Sequence, residues 1–232
     1  MALPFILIGV GVAVVVYGSA HILAAFSGKT VVIYGHQKSG KTEFVNGIYE
    51  SLGKNTEIKK GPTANTDIHE KVTIETDKGK SLYFSEIRDM PGRDTEVNEF
   101  LKAVVKDNTV GMYFLAGYVP DGSCGNLVRF DERPEYLKRV RKDLKRSLKY
   151  LKDQQEQRRD GTENKLLLVI THCDLDPDST EISPGHYMDQ FSKIVHDKIT
   201  KVHLPLVAGS LCDKKSRKKL VKLSAENIDQ KF

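Results

Sequence analysis

The chain has 232 residues, of which 29% are charged and 39% hydrophobic, and a formal net charge of +5. This balance is ordinary for a globular protein, and the length allows one well-cored domain with a small appendage. The three cysteines, Cys124, Cys173 and Cys212, have neither a paired framework nor metal-ligand spacing. That excludes a disulfide-stapled scaffold and a cysteine metal site, and it agrees with a reducing compartment.

The first element in the chain is LPFILIGVGVAVVVYGSAHILAAF, residues 3–26, which contains no Asp, Glu, Lys or Arg. As a helix it would extend about 36 Å, enough for a hydrocarbon core of about 30 Å. Residues 1–28 are therefore predicted to form a transmembrane anchor and short linker, and 29–232 a folded domain. A cleaved signal peptide would carry a basic leader and a cleavage site, and neither is evident. A buried core helix would not run so long without polar punctuation. The basic excess after the anchor places the domain on the cytoplasmic side of the membrane and the short N-terminus outside. Gly9 with Ala13, or Ala20 with Ala24, would let a partner helix pack closely, which leaves room for a homodimer.

Beyond the anchor, strand-like and helix-like segments alternate. A strand over Thr30–Tyr34 leads into Gly35-His36-Gln37-Lys38-Ser39-Gly40-Lys41-Thr42, which fits G-x-x-x-x-G-K-[ST], and a helix runs on to about Leu52. Glycines let backbone N–H groups curl round phosphate oxygens, and the helix N-terminus favours the same negative charge. Residues 71–76 and 81–87 read as two strands joined by the turn Asp77-Lys78-Gly79. Asp89-Met90-Pro91-Gly92 follows at the strand end. Thr109–Leu115 and Lys165–Ile170 are continuous apolar runs, expected for strands buried on both faces.

Between those runs, Leu137, Val140, Leu144, Leu148 and Leu151 recur at spacings of three and four, which predicts a long amphipathic helix. Its other positions include Lys138, Arg139, Arg141, Lys142, Lys145, Arg146, Lys149 and Lys152. This face reads equally as solvated or as lying against anionic lipid. No nucleic-acid partner is expected, because aromatic residues do not interleave with these charges. Thr171-His172-Cys173-Asp174 follows the second apolar run. A helix from Gly185 to about Lys201 and a short strand at Leu204–Ala208 complete the pattern. Strands alternating with helices predict a three-layer α/β domain with a mostly parallel sheet.

With these motifs in place, the chain resembles the P-loop GTPase superfamily, the broad class of Ras-like and septin- or dynamin-like G domains. The resemblance covers residues 29 to about 226. It implies GTP/GDP as ligand with Mg²⁺, and a protein partner at the switch loops. Gly35, Lys38, Ser39, Gly40, Lys41 and Thr42 correspond to the phosphate loop, with Lys41 reaching the β- and γ-phosphates. Thr42 and Asp89 would hold Mg²⁺, and the Gly92 N–H would sense a γ-phosphate.

Thr171, His172 and Asp174 match the [NT]-K-x-D motif that selects guanine, with His172 in the place of the usual Lys. The switch threonine is Thr63, in Pro62-Thr63, in preference to its neighbour Thr66; the chosen residue would bind Mg²⁺ and report the γ-phosphate. The last motif is Ser210, after Val207-Ala208-Gly209, or Ser224, with Ser210 preferred because Ser224 leaves little chain for a closing helix. If so, Cys173 and Cys212 both lie near the base, and GDP would slow their alkylation.

Where Ras-like proteins carry a water-positioning Gln, this chain has Arg93, so intrinsic GTP hydrolysis is expected to be slow. Arg93 is open to two readings, a charge that meets the transition state and a solvent-facing loop residue. An ATP-using P-loop enzyme and a non-hydrolysing nucleotide-bound scaffold are the competing functions. One span followed by a G domain also resembles the layout of signal recognition particle receptor beta subunits. Ser27-Gly28-Lys29 reaches only about 10 Å. The domain would thus stand close to the bilayer, with its first strand running away from it and its site about 20 Å or more from the lipid.

Overall fold

The computed structural model describes residues 29–51, 67–75, 81–90, 96–121, 126–158 and 166–231. Strand β1 (Lys29–Gly35) leads to α1 (Lys41–Ser51), followed by β2 (Asp67–Glu75), β3 (Ser81–Asp89), α2 (Val97–Val104) and β4 (Thr109–Ala116). The short strands β5 (Tyr118–Pro120) and β6 (Leu127–Arg129) pair with each other ahead of α3 (Pro134–Arg158). Then come β7 (Leu166–Thr171), α4 (Pro184–Val195), β8 (Leu206–Ala208) and α5 (Lys214–Lys231).

The main sheet has six strands in the order β2-β3-β1-β4-β7-β8. Five of them run parallel, and β2 is antiparallel to β3 at one edge. This is the three-layer α/β architecture with a mostly parallel sheet that the alternation of elements predicts. Along β1, Val32 and Tyr34 enter one core while Val31 and Ile33 enter the other. The first core, under α2, α3 and α4, also holds Phe100, Tyr113, Val140, Leu144 and Phe191. The second, under α1 and α5, holds Phe44, Ile48, Phe114, Val169 and Val221. Helices on both faces are why the central strands read as unbroken apolar runs.

Several boundaries differ from the sequence expectations. The second strand begins at Asp67 rather than residue 71, because its pairing with β3 extends down to Asp67 opposite Asp89. The helix expected from Gly185 starts one residue earlier, with Pro184 inside it and the Ser183 hydroxyl accepting from His186 N–H. It ends at Val195 and passes into a π-helical turn over His196–Thr200. The strand expected from Leu204 pairs only from Leu206.

Two helices went unpredicted, α2 and most of α5. The highly charged start of α5 hides an inward stripe of Leu220, Val221, Ser224, Ala225 and Ile228. Among the described residues no helix is long and apolar enough to cross a membrane. The predicted anchor, residues 3–26, lies outside them.

Candidate functional site

The C-terminal edge of the parallel strands gathers the predicted motifs. Gly35 ends β1 so close to β4 that a Cβ there would stand 2.2 Å from Phe114 O. Gly40, with φ +85°, leads into α1 against Leu211, where a Cβ would meet Cδ1 at 2.6 Å. Both positions therefore need glycine, one for close approach and one for backbone angle. Between them, Ser39 N–H donates to His36 O at 3.3 Å and Lys38 takes φ 62°. Ser39 is buried, and Thr42 sits half-buried in the first turn of α1.

Lys41 is folded back onto its own loop. Its Nζ donates to Gly35 O at 2.8 Å and to His36 O at 3.1 Å, and the residue is only 6% exposed. Burial pulls its pKa down, against the opposing pull of the Asp89 carboxylate. Asp89 is buried at the end of β3, paired in register with Ile33 of β1. A cation, a hydroxyl and a carboxylate thus converge on one strand edge. A carboxylate and a hydroxyl are the hard oxygen donors that Mg²⁺ takes alongside phosphate oxygens and water.

The Thr171–Asp174 segment is tied to the Gly35–Thr42 loop. Thr171 Oγ1 lies 2.9 Å from Ser39 O, 3.3 Å from Leu115 O and 2.8 Å from His172 Nδ1, and the residue is fully buried. His172 occupies the left-handed region, φ 61°, and burial lowers its pKa against the pull of Asp174. Asp174 Oδ1 accepts from Ser210 Oγ at 2.5 Å, and Ser210 Oγ in turn accepts from Cys212 N–H at 3.1 Å. The two loops also meet through Cys173 N–H to Gly209 O at 3.3 Å. A pocket of about 230 Å³ adjoins this pair, lined in part by Asp174, Tyr187, Gly209, Ser210 and Cys212.

Of the two serines offered for the last motif, only Ser210 reaches Asp174. Ser224 lies inside α5, where its hydroxyl donates to Leu220 O at 2.8 Å. Cys173 corrects an expectation. It is 4% exposed within the core under α4, and burial pushes its thiol up to about 12, so it is a poor target for alkylation. Cys212 is exposed. Thr63, Thr66, Gly92 and Arg93 lie outside the described residues.

Sequence reasoning missed a buried cluster behind the phosphate loop. His36 Nε2 stands 3.2 Å from Tyr113 OH and 3.4 Å from Asp143 Oδ2, and Tyr113 OH donates to the same carboxylate oxygen at 3.4 Å. The His36 ring also packs against Tyr136, with centroids 5.8 Å apart. A signal was present: Asp143 lies between Val140 and Leu144 on the apolar stripe of the long helix. An acid on the buried side of an otherwise basic helix needs a partner.

No protein-family model matches the chain, and no curated protein matches its sequence. Solved structures do match. In the complex titled "Signal recognition particle receptor SRb-GTP/SRX complex from Chaetomium thermophilum", one chain superposes with a TM-score of 0.52 at 11% identity. The match covers 86% of this chain and 98% of that one. The two chains share a fold. At this identity the likeness speaks for the fold alone. Within that fold, the Gly35–Thr42 loop, Asp89 and Asp174 stand at the ends of parallel strands, the edge where open α/β sheets bind ligands.

Proposed function

We propose that this protein is a membrane-anchored GTP-binding switch whose G domain works at the cytoplasmic face and captures a protein partner through its switch loops. The observation that carries the reading is the joint between the two halves of the site. One buried side chain, Thr171, bonds the phosphate loop at Ser39 O, and three residues on, Asp174 is held by Ser210. That arrangement would fix a carboxylate at a set distance from a phosphate cradle, which is what a guanine nucleotide requires.

Each residue has a chemical task in this reading. Guanine presents the N1–H and N2–H donors side by side, and the two Asp174 oxygens would accept them. A carboxylate oxygen has lone pairs to spare, so Oδ1 can keep Ser210 while accepting from the base. Adenine offers no such donor pair, and burying Asp174 against it would cost the carboxylate its solvation. Lys41 would leave the Gly35 and His36 carbonyls for the β- and γ-phosphates, regaining a full charge partner. Thr42 and Asp89, with Thr63 or Thr66, would hold Mg²⁺, which neutralises charge on the phosphates when bound. Hydrolysis would be slow without a partner, since no Gln follows Gly92 and Arg93 cannot act as a base.

The span over residues 3–26 would hold the domain at the bilayer permanently, so that nucleotide state changes the partner and not the location. The test is a titration of the full chain in detergent with GDP, GTP and ADP in the presence of Mg²⁺. Guanine nucleotides are expected to bind at least about 100-fold more tightly than ADP, the worth of two charge-assisted hydrogen bonds. Equal binding of ADP would assign the protein to ATP chemistry instead.

A further inference from the structure

We propose that α3 is a lipid-docking surface: its lysine face binds the anionic phospholipid headgroups of the bilayer and tilts the G domain onto that face. The proposal rests on the reading that residues 3–26 span the membrane, and it adds a second contact to it.

Three observations converge on α3. From residue 138 to residue 152 its outward positions are Lys138, Arg139, Arg141, Lys142, Lys145, Arg146, Lys149 and Lys152, all exposed. The one acid within that stretch, Asp143, is turned inward to His36 and Tyr113. The exposed face between those limits is therefore basic with no acid in it. The spacing is also ordered: Lys138, Lys142, Lys145, Lys149 and Lys152 follow each other by four, three, four and three residues, a single stripe along the helix. Arg141 and Arg146 each give an N–H to a neutral oxygen, Lys198 O at 3.0 Å and Asn98 Oδ1 at 2.6 Å. These bonds brace the flanks of the stripe without neutralising it.

The second basic helix shows what a neutralised one looks like. On α5, Arg217 turns in to Glu50 at 2.7 Å and to Glu43 at 3.5 Å, and the charges of Lys214 and Lys218 also act on Glu50. Asp213 caps that helix through the backbone N–H groups of Lys215 and Ser216. The acids of α1 thus face the bases of α5. Among the described residues one acid reaches the stripe on α3, Glu156, which stands 3.8 Å from Lys152 Nζ in an exposed pair at the helix's far end.

The third observation is direction. The start of α3 lies at the C-terminal edge of the sheet, where Tyr136 OH accepts from Ala116 N–H at the end of β4. The helix then runs antiparallel to β4, past Tyr113 at Asp143, towards the edge where Lys29 enters β1. Its 25 residues extend about 37 Å, whereas the 7 of β1 span about 23 Å. The far end of α3 therefore projects beyond the sheet on the side of Lys29, the side that the proposed span would hold towards the bilayer. Lys149 and Lys152 stand closest to the lipid and Lys138 furthest. Headgroup attraction acts within about a Debye length of the surface, which favours that end.

Lysine footprinting of the full chain tests this surface. The protein is reconstituted into nanodiscs of phosphatidylcholine alone or with phosphatidylserine, treated with an amine-acylating reagent, and digested for mass spectrometry. Acylation of Lys149 and Lys152 should slow about five-fold or more in the anionic discs. The effect should weaken towards Lys138, vanish in high salt, and leave Lys214, Lys215 and Lys219 of α5 unchanged. The triple variant Lys145→Gln, Lys149→Gln, Lys152→Gln removes only exposed charge, and Lys142 and Lys138 should then react equally in both discs.

A chain retained in both discs with identical footprints would keep the anchor and overturn the docking surface. A chain that leaves zwitterionic discs yet shows the α3 footprint on anionic ones would keep the surface and remove the anchor. Protection of α5 instead of α3, or protection by an oligonucleotide but not by anionic discs, would also overturn the proposal.

Discussion

On the proposed reading the candidate site has a phosphate end and a base end, and the two are built differently. At the phosphate end the backbone is shaped by glycines and the buried cation, Lys41, is spent on the carbonyls of its own loop. At the base end the side chains are already set, with Asp174 held by Ser210 and Thr171 bonded to three neighbours. Binding at the phosphate end must therefore break something, and binding at the base end need only add to what is present. Affinity should come chiefly from the first and discrimination from the second.

The largest expected effect tests the affinity half. Lys41→Ala should weaken GDP, GTP and ADP alike, by about 3 kcal/mol, or roughly 100-fold, since a buried charge-assisted contact to phosphate is lost. A selective loss of guanine binding would break the comparison. Asp174→Ala tests the other half. Isothermal titration should show GDP weakened by about 2 kcal/mol and ADP unchanged, so that most of the preference for guanine is lost. If both nucleotides fell together, Asp174 would be a structural residue of the loop.

The phosphate end was also the more legible in the sequence. Eight consecutive residues, Gly35 to Thr42, specify a strand, a loop and a helix start by local geometry alone. The base end is assembled from Thr171–Asp174 and Ser210, segments separated by a helix and a strand, and no local pattern could choose between Ser210 and Ser224. Long-range packing separates the two, because the inward stripe of α5 commits Ser224 to a helix interior while Ser210 reaches Asp174. The sheet was readable from its apolar runs. Short α2 and the charged start of α5 were not, since each is helical through what it packs against. The His36–Asp143 contact spans residues distant in sequence, and only its one-sided clue, an acid on an apolar stripe, was visible.

Thr171 joins the two ends, so its removal should blur the difference between them. Thr171→Val keeps the shape and deletes the hydroxyl, whose single proton lies between Ser39 O at 2.9 Å and Leu115 O at 3.3 Å. A loss of about 1 to 1.5 kcal/mol is expected both in thermal stability and in GDP affinity, with a smaller loss for ADP. A smaller, purely kinetic effect should appear at Cys212, whose N–H reaches Ser210. GDP should slow its alkylation a few-fold, while Cys173 stays unreactive with or without nucleotide because its thiol is buried and protonated. Equal rates for Cys212 with and without GDP, at saturating nucleotide, would move the base away from this loop.

The smallest effect concerns a second tie between the ends, beneath the site. Arg217 donates through Nε and Nη2 to both Glu50 oxygens, at 3.0 and 2.7 Å, and through Nη1 to Leu211 O at 3.3 Å. It thereby links α1, which begins at Lys41, to the loop that carries Ser210. The hydrogen bond from Arg217 holds the Glu50 carboxyl below its ordinary value. A carboxylate depressed in the folded state contributes stability above its unfolded value of 4.5, and that contribution is lost as pH falls through the folded value. Glu50→Gln should therefore cost about 1 kcal/mol at neutral pH, a little more than an exposed pair because the geometry is bidentate and mostly buried. The difference in melting temperature between variant and parent should narrow steadily below pH 4.5. If the gap stayed constant into acid, Arg217 would be tying the helices by packing of its stem, and the charge on Glu50 would have no part in coupling the two ends.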